Sequence, residues 1–275
     1  MILDCHIHIM DQQKDRKEFT DRIRSAGIAG GVLFSMPPAS FTRVGKKFGQ
    51  PHTTSERLDD LFYWIGDDSN LFPFYWIDPM EEDAREQVET AEEYGVKGYK
   101  IICNYFYPGD SRALEILQYI ADKKKPVIFH SGILFDGAVS SKYNRPLEFE
   151  ALIEVKGLKF AMAHVSWPWC DECIALYGKF MDARYSDPDL NTEMFYDITP
   201  GTPHMYREDV LTKLLKLYDA ENNILFGTDS LANNLSCEYS QEIIERDSGI
   251  LKKLGVGKDI EEKIFFRNLQ RFTGA

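Results

Sequence analysis

The chain has 275 residues, of which 44% are hydrophobic and 28% charged, as expected of a globular protein that can bury a substantial core. Its formal net charge of −12 argues against nucleic acid and anionic membrane surfaces as partners. The five cysteines show no dense spacing, and the sequence shows no signal-peptide pattern and no apolar run long enough to cross a bilayer. We therefore expect a cytoplasmic protein.

Strand-like and helix-like segments alternate along the whole sequence. The predicted strands cover residues 2–8, 29–36, 70–79, 96–102, 126–132, 158–166, 193–200 and 223–230. The predicted helices cover residues 17–26, 58–67, 80–95, 111–125, 147–157, 170–183 and 207–220, and further helices close the chain. Eight strands separated by helices favour a single α/β domain over residues 1–275, a (β/α)8 TIM barrel with extra C-terminal helices. An open doubly wound sheet usually has a glycine-rich loop after its first strand, and none follows here.

The longest irregular segment covers residues 36–54, between the second predicted strand and the next helix. In a barrel this segment lies on the face where the strands end, which is the catalytic face. Long loops in that position often act as lids, and an ordinary surface loop is the other interpretation.

Two histidines stand one residue apart in the first strand, in the stretch DCHIHI. Because alternate side chains share a face of a strand, His6 and His8 point the same way. The same alternation places the apolar residues on the opposite face, namely Leu3, Cys5, Ile7 and Ile9. The pair is either two solvated histidines on a half-exposed strand or one half of a metal site.

Three more polar residues lie where later strands end. His130 ends the fifth strand, His164 the sixth and Asp229 the eighth. Each alone is more simply a hydrogen-bonded core or turn residue, but strand ends converge on one rim of a barrel. Imidazoles with one carboxylate are the ligands that zinc takes. The joint pattern therefore predicts a divalent metal site.

The sequence resembles the amidohydrolase superfamily, and within it the amidohydrolase 2 branch of metal-dependent hydrolases and decarboxylases. The matching segments, in order, are DCHIH, VKGYKI, VIFHSG, YNRPLEFEALI, AHVSWPW, ILFGTDS and RNLQRFTG. The resemblance implies a distorted barrel with a divalent metal at its mouth. It implies that His6, His8, His130 and Asp229 are the metal ligands and that His164 lies near the reacting group.

The resemblance also implies the chemistry and leaves the metal count open. A bound divalent ion makes hydroxide available near neutral pH, and Asp229 would accept the proton of the attacking water. Lys100 ends the fourth strand, where binuclear members of the superfamily carry a carbamylated lysine that bridges two metals. We expect one ion, most simply Zn²⁺, with an unmodified Lys100 that binds an anionic group of the substrate or pairs with a carboxylate.

Three further residues are candidates for contact with the substrate. Arg145 and Arg207 lie in predicted loops after the fifth and seventh strands, where a guanidinium could hold a substrate carboxylate. Trp167 follows His164 and either walls the pocket or packs beneath the rim. The pair Cys170 and Cys173 has the spacing of a redox or zinc motif, but the absence of a second such pair favours a structural role.

We therefore expect a hydrolase that uses metal-activated water to split a C–N or C–O bond of a small molecule. A carboxylated small molecule is one candidate substrate. A metal-dependent decarboxylase of an aromatic or unsaturated acid is the alternative, and a binding protein without turnover is the third hypothesis. The oligomeric state is open, a homo-oligomer included.

Overall fold

A computed structural model describes residues 1–10, 15–43, 46–47, 52–201, 203–218 and 220–275 of the protein. Its strands are β1 (Asp4–His8), β2 (Gly31–Phe34), β3 (Thr42–Arg43), β4 (Lys46–Lys47), β5 (Leu71–Trp76), β6 (Gly98–Ile101), β7 (Val127–Phe129), β8 (Lys159–Met162), β9 (Glu193–Asp197), β10 (Ile224–Leu225) and β11 (Ser230–Leu231). Its α-helices are α1 (Arg16–Ser25), α2 (Thr54–Ile65), α3 (Ala84–Tyr94), α4 (Ser111–Asp122), α5 (Cys170–Ser186), α6 (His204–Leu217), α7 (Cys237–Lys253), α8 (Lys258–Glu262) and α9 (Asn268–Thr273). No helix among these residues is both long and apolar enough to cross a membrane.

The parallel strands form a ring. The sheet runs in the order β10-β9-β8-β7-β6-β5-β2-β1-β11, and every pair in it is parallel. The strands at its two ends, β10 and β11, are two parts of one segment, residues 224–231. The first part pairs with β9, the second pairs with β1, and the N–H of Cys5 donates to the carbonyl of Phe226 between them at 2.8 Å. This segment is the predicted eighth strand, and it closes the barrel that the element pattern predicts.

The barrel has an apolar interior and an apolar outer layer under the helices. Inward side chains of successive strands form the interior, and Leu269 and Phe272 of α9 pack among them. The Phe272 ring contacts Phe74 and Phe195, with centroids 6.4 and 4.9 Å apart. The N–H of Leu3 donates to Phe265 just before α9, so the C-terminal helices cover the end of the barrel where β1 begins. The opposite end, where the strands finish, is left for the site.

Several helix boundaries follow from local chemistry. A capping box of Thr53 and Glu56 begins α2, and Gly95 in the left-handed region ends α3. The segment predicted as a helix over residues 147–157 is a 3-10 helix, Pro146–Glu154, instead of an α-helix. A proline at its first position and its short length are both compatible with this tighter winding.

The first strand corrects a prediction about which side chains share a face. The register between β1 and β2 shifts between Asp4 and Ile7, which is a β-bulge. Leu3 and Cys5 lie in the barrel interior, whereas Ile7 and Ile9 belong to the outer layer. A bulge places two successive residues on one side of a strand. The bulge therefore brings His6 and His8 to the interior side that Leu3 and Cys5 already occupy.

The predicted lid over residues 36–54 lies partly outside the described residues. The described part contains β3 and β4, which pair as a short antiparallel hairpin. Phe41, just before β3, lines the pocket described below. The lid interpretation stays a prediction.

Candidate active site

Three ligand atoms meet at the carboxyl ends of the first and eighth strands. His6 Nε2 and His8 Nε2 lie 3.1 Å apart, and Asp229 Oδ1 lies 3.4 Å from the first and 3.5 Å from the second. A tetrahedral zinc ion with ligand distances of about 2.0–2.1 Å separates its ligand atoms by about 3.3 Å. The triangle of ring nitrogens and carboxylate oxygen therefore has the size of one face of such a tetrahedron.

His6 is fixed from behind by a carboxylate that the sequence analysis missed. Asp197, the last residue of β9, places Oδ2 2.6 Å from His6 Nδ1, and both side chains are buried. This contact makes Nδ1 the protonated nitrogen and turns Nε2 toward the site. Asp197 ends a predicted strand, as His130 and Asp229 do, so the same strand-end argument could have identified it.

Three imidazoles of the site, those of His6, His8 and His130, are held in the neutral form. Burial, followed by the nearby Lys100 ammonium, lowers the pKa of His6 well below its usual value. Burial also lowers the pKa of His8, and it lowers that of His130 well below the ordinary histidine range. Neutral imidazole is the form that offers a lone pair to a metal.

Asp229 is the anionic member of the triangle. Burial raises the pKa of its carboxyl, but the contact with His8 and the nearby imidazoles His6 and His164 outweigh burial and hold the pKa well below its usual range. Its backbone has a φ of 57°, which few residues other than glycine adopt. Strain of this kind at a polar strand end is typical of functional sites.

His164 reaches the same centre from a strained turn. Ligand atoms of His6, His164 and Asp229 lie within 4.8 Å of one another. His164 and Val165 have φ values of 60° and 45°, and Thr199 Oγ1 lies 2.9 Å from His164 Nδ1. The left-handed turn and the Thr199 contact together orient the ring.

His130 lines the same pocket on the side of His164. The two ring centroids are 5.2 Å apart. His130 Nε2 lies 3.2 Å from the carbonyl oxygen of Ile133, so its other ring nitrogen, Nδ1, is the one to consider for a metal. Its role as a ligand stays a prediction.

A second buried carboxylate ties the first strand to the eighth. Asp4 accepts hydrogen bonds from the backbone N–H groups of His6 and Thr228, at 2.9 and 3.0 Å, and from the Thr228 hydroxyl at 2.5 Å. Burial raises its pKa to about 7 despite these donors. The network fixes the backbone of β1 beside the segment that carries Asp229.

A pocket of about 430 Å³ opens above these groups. His8, His130, His164 and Asp229 contribute its polar floor. Its walls are largely apolar and include four aromatic side chains, those of Phe41, Trp76, Phe135 and Trp167. A pocket of this size and lining is suited to a small molecule with an apolar part. Trp167 lies where its pocket-wall interpretation requires.

Two arginines proposed for substrate contact lie elsewhere. Arg207 is not in a loop: it belongs to α6, is buried, and donates two hydrogen bonds to Asp247 of α7 at 3.0 and 2.5 Å. The predicted loop position is therefore wrong, and because the buried pairing keeps Arg207 out of the described pocket lining, its role as a substrate contact stays an unsupported prediction. Arg145 lies outside the described pocket lining and contacts both oxygens of Glu172 at 3.0 Å.

Lys100 lies beneath the floor of the pocket. Its side chain is fully buried, with Nζ 3.4 Å from His6 Nε2 and 4.9 Å from the centre of the Phe34 ring. Burial lowers its pKa to about 8, although Asp197 and Asp229 act in the opposite direction. It adjoins the candidate metal ligands and is not part of the described pocket lining.

A closed (β/α)8 barrel with buried imidazoles and a carboxylate at its strand ends defines a class of metal-dependent barrel enzymes. A family model described as amidohydrolase matches residues 3–272, which is nearly the whole chain. The protein belongs to the amidohydrolase family.

Solved structures share this fold at low sequence identity. An amidohydrolase from Burkholderia multivorans with bound Zn has a TM-score of 0.67 and 9% identity, with 100% of this chain and 99% of that one covered. Amidohydrolase 2 from Bifidobacterium longum subsp. infantis has a TM-score of 0.58 and 13% identity, with 99% and 98% covered. Dihydroorotase from Campylobacter jejuni has a TM-score of 0.61 and 14% identity, with 100% and 83% covered. No curated protein matched the sequence.

Proposed function

We propose that the protein is a metal-dependent hydrolase that uses water to split a C–N or C–O bond next to a carbonyl group of a small molecule. The observation that carries this proposal is the triangle of His6 Nε2, His8 Nε2 and Asp229 Oδ1, whose sides are 3.1–3.5 Å. Two neutral imidazoles and an ionised carboxylate at that spacing fit one divalent cation. Bound zinc in the Burkholderia multivorans relative supports zinc as the ion.

The proposed ligands are His6, His8, His130 and Asp229, and one ion is expected. A bound divalent ion supplies Lewis acidity, which makes water a stronger acid and polarises a carbonyl oxygen. Asp197 keeps the His6 ring in the tautomer that presents Nε2. Lys100 stays unmodified in this proposal, and a second ion would require its carbamylation.

The remaining steps belong to side chains on the chain itself. Asp229, whose carboxylate is ionised and 36% exposed, accepts the proton of the attacking water and returns it to the leaving group. His164 lies within 4.8 Å of the Asp229 ligand atom and hydrogen-bonds the carbonyl oxygen of the substrate. Thr199 holds His164 in place, and Trp167 excludes water on one side of the pocket.

Decarboxylation is the weaker alternative. The similar structures named above are amidohydrolases and a dihydroorotase, and neither arginine predicted to hold a substrate carboxylate lies in the described pocket lining.

Metal analysis with a hydrolysis panel tests the proposal. Protein purified without chelator should contain about one divalent ion per chain and should hydrolyse a member of a panel of neutral lactones, esters and amides. Asp229→Asn should abolish that activity, whereas Asp187→Asn, a carboxylate exchange at an exposed position after α5, should not.

The outcomes separate the alternatives. Two ions per chain would assign a carbamylated Lys100, to be read by the added mass in native mass spectrometry. Carbon dioxide release from an aromatic acid, with no hydrolysis of any panel member, would favour the decarboxylase. A protein that never holds a divalent ion would overturn the proposal.

A further inference from the structure

We propose that the site selects substrates whose non-reacting part is apolar and uncharged or cationic, and that Asp136 excludes anionic ones. This inference rests on the proposed hydrolase function and adds the substrate class. It departs from the expectation of a carboxylated substrate.

The walls of the pocket are largely apolar. Aromatic side chains of Phe41, Trp76 and Trp167 line it, together with aliphatic ones such as Ile102 and Leu134. Trp76 and Phe41 contact each other, with ring centroids 4.8 Å apart, and Trp76 also contacts His8. An apolar ring or chain is the group that gains most from leaving water for such walls.

The described lining of the pocket offers no cationic side chain to an anionic substrate. Among the side chains that the structure describes, the lining contains no lysine or arginine. Arg145 is paired with Glu172, Arg207 with Asp247, and Lys100 is buried below the floor. A substrate carboxylate in contact with these walls would lose its hydration without gaining a charged partner among the described side chains of the lining.

Asp136 adds a second carboxylate, besides that of Asp229, to the residues that line the pocket, and it is only 3% exposed. Oδ1 accepts a hydrogen bond from the N–H of Ala138 at 2.9 Å, and within the described part of the chain the carboxylate forms no ion pair and no other hydrogen bond. The second oxygen is therefore available to a hydrogen-bond donor or a cation on the substrate. A carboxylate on the substrate would meet repulsion in a partly desolvated space.

Aryl hydroxamates provide probes that test this inference. The 4-methyl, 4-carboxy and 4-aminomethyl derivatives of benzohydroxamic acid share one metal-chelating group and differ only in the charge at the far end of the ring. Dissociation constants for the metal-loaded protein would be measured by ligand-observed NMR or calorimetry. We expect the carboxy derivative to bind at least about tenfold more weakly than the methyl derivative, and the aminomethyl derivative to bind at least as tightly.

Asp136→Asn isolates the carboxylate. It should reduce the difference between the carboxy and methyl derivatives to about threefold or less, because the amide keeps the shape and loses the charge. Asp187→Asn is the matched control, since Asp187 Oδ1 accepts from the N–H of Asp189 at 3.1 Å in the same two-residue turn but on the surface. The control should keep the wild-type difference.

A second variant keeps the test valid if Asp136→Asn does not fold. Leu231 lines the pocket at its rim and is 40% exposed, so Leu231→Arg adds a cation without burying it. It should strengthen binding of the carboxy derivative selectively, whereas Met181→Arg, at a 41% exposed position on α5, should not.

The outcomes distinguish this inference from the proposed function. Equal binding of the three derivatives, tighter binding of the carboxy derivative, or an Asp136→Asn variant that keeps the full difference overturns the inference and leaves the hydrolase standing. Failure of all three hydroxamates to bind to protein that holds its ion also overturns the inference, whereas a protein that takes up no divalent ion removes both proposals.

Discussion

Gly201 packs closely against the His164 ring. A methyl group at this position would lie 2.4 Å from Cγ of His164, closer than atoms can approach. Its φ lies outside the left-handed region, so an alanine there would act through contact with His164 and not through the backbone.

Gly201→Ala should therefore displace the His164 ring. We expect kcat/KM for the substrate found in the hydrolysis panel to fall about 100-fold, because a shift of about 1 Å in a catalytic group has that effect. Gly249→Ala is the control: it lies in α7 with no atom within 4 Å of the added methyl group, and its activity should be unchanged. Unaltered kinetics in Gly201→Ala would place His164 outside the reaction.

The two cysteines of the Cys170-x-x-Cys173 motif also act at the scale of single residues. Burial raises the pKa of Cys170 to about 11 and that of Cys173 to about 12. Thiolate is the reactive form, so at pH 8 only about one Cys170 thiol in a thousand is reactive. Both residues are buried in α5, which favours the structural interpretation of this motif.

Alkylation with iodoacetamide tests whether the Cys170 and Cys173 thiols are unreactive in the folded protein. At pH 8 the partly exposed Cys237 should react first, and the rate at Cys170 should rise about tenfold from pH 8 to pH 9, since its thiolate fraction rises with pH up to about 11. Peptide mass spectrometry measures each site, and unfolded protein provides the upper limit. Cys170 reacting as fast as Cys237 at pH 8 would contradict the structural role.

At the scale of elements, the end of α4 carries an unfavourable backbone conformation. The helix ends at Asp122, and Lys124 has a φ of 59°, in the left-handed region that glycine usually occupies after a helix. Lys123, its neighbour, has a φ of −79° and continues the helical conformation. Both lysines are exposed, and Nζ of Lys123 lies 5.0 Å from the centre of the Tyr119 ring.

Lys124→Gly should therefore raise the free energy of unfolding, by about 1 kcal/mol, because the left-handed conformation costs a residue with a Cβ that amount. Lys123→Gly should lower it by about 0.5–1 kcal/mol, because glycine loses more conformational entropy in a helical position. Urea unfolding of the two variants gives the comparison. Equal effects of the same sign would contradict the backbone explanation.

The elements also show what the sequence could and could not predict. Periodicity and strand-end polarity identified the barrel, its eight strands and the convergence of His6, His8, His164 and Asp229, because alternation and parallel topology are local rules. The bulge in β1 was missed, since one extra residue between Asp4 and Ile7 leaves no mark in an alternating pattern. Arg207 was misplaced because its partner, Asp247, is 40 residues away in the sequence and no local pattern links the two.

At the scale of the whole molecule, the Arg207–Asp247 pair joins two helices of the outer layer. Both side chains are 1% exposed, and the guanidinium faces both carboxylate oxygens. Asp247 Oδ1 also accepts from Nε of Arg246 at 3.2 Å, so removing Arg207 leaves the buried carboxylate with this single remaining partner among the described residues. Arg145 and Glu172 form the opposite case, because the Arg145 side chain is 52% exposed.

Arg207→Ala should lower the free energy of unfolding by about 2–3 kcal/mol, because Asp247 keeps Arg246 as a partner, whereas Arg145→Ala should change it by at most about 1 kcal/mol. The double variant Arg207→Met with Asp247→Leu should regain most of the loss, because neither buried charge remains. Its KM should equal that of the wild type. A raised KM in a fully folded double variant would restore Arg207 as a substrate contact.

The segment 224–231 belongs to both edges of the sheet, and Asp229 lies in the short gap where it passes from one neighbour to the other. A cation shared by Asp229, His6 and His8 would cross-link the first strand of the barrel to the last one. Removing the ion with a chelator should then speed amide hydrogen exchange in residues 4–8 and 224–231, measured by mass spectrometry, before it does so in β6 and β7 on the far side. The bound ion would thus stabilise the closed barrel in addition to its part in the reaction.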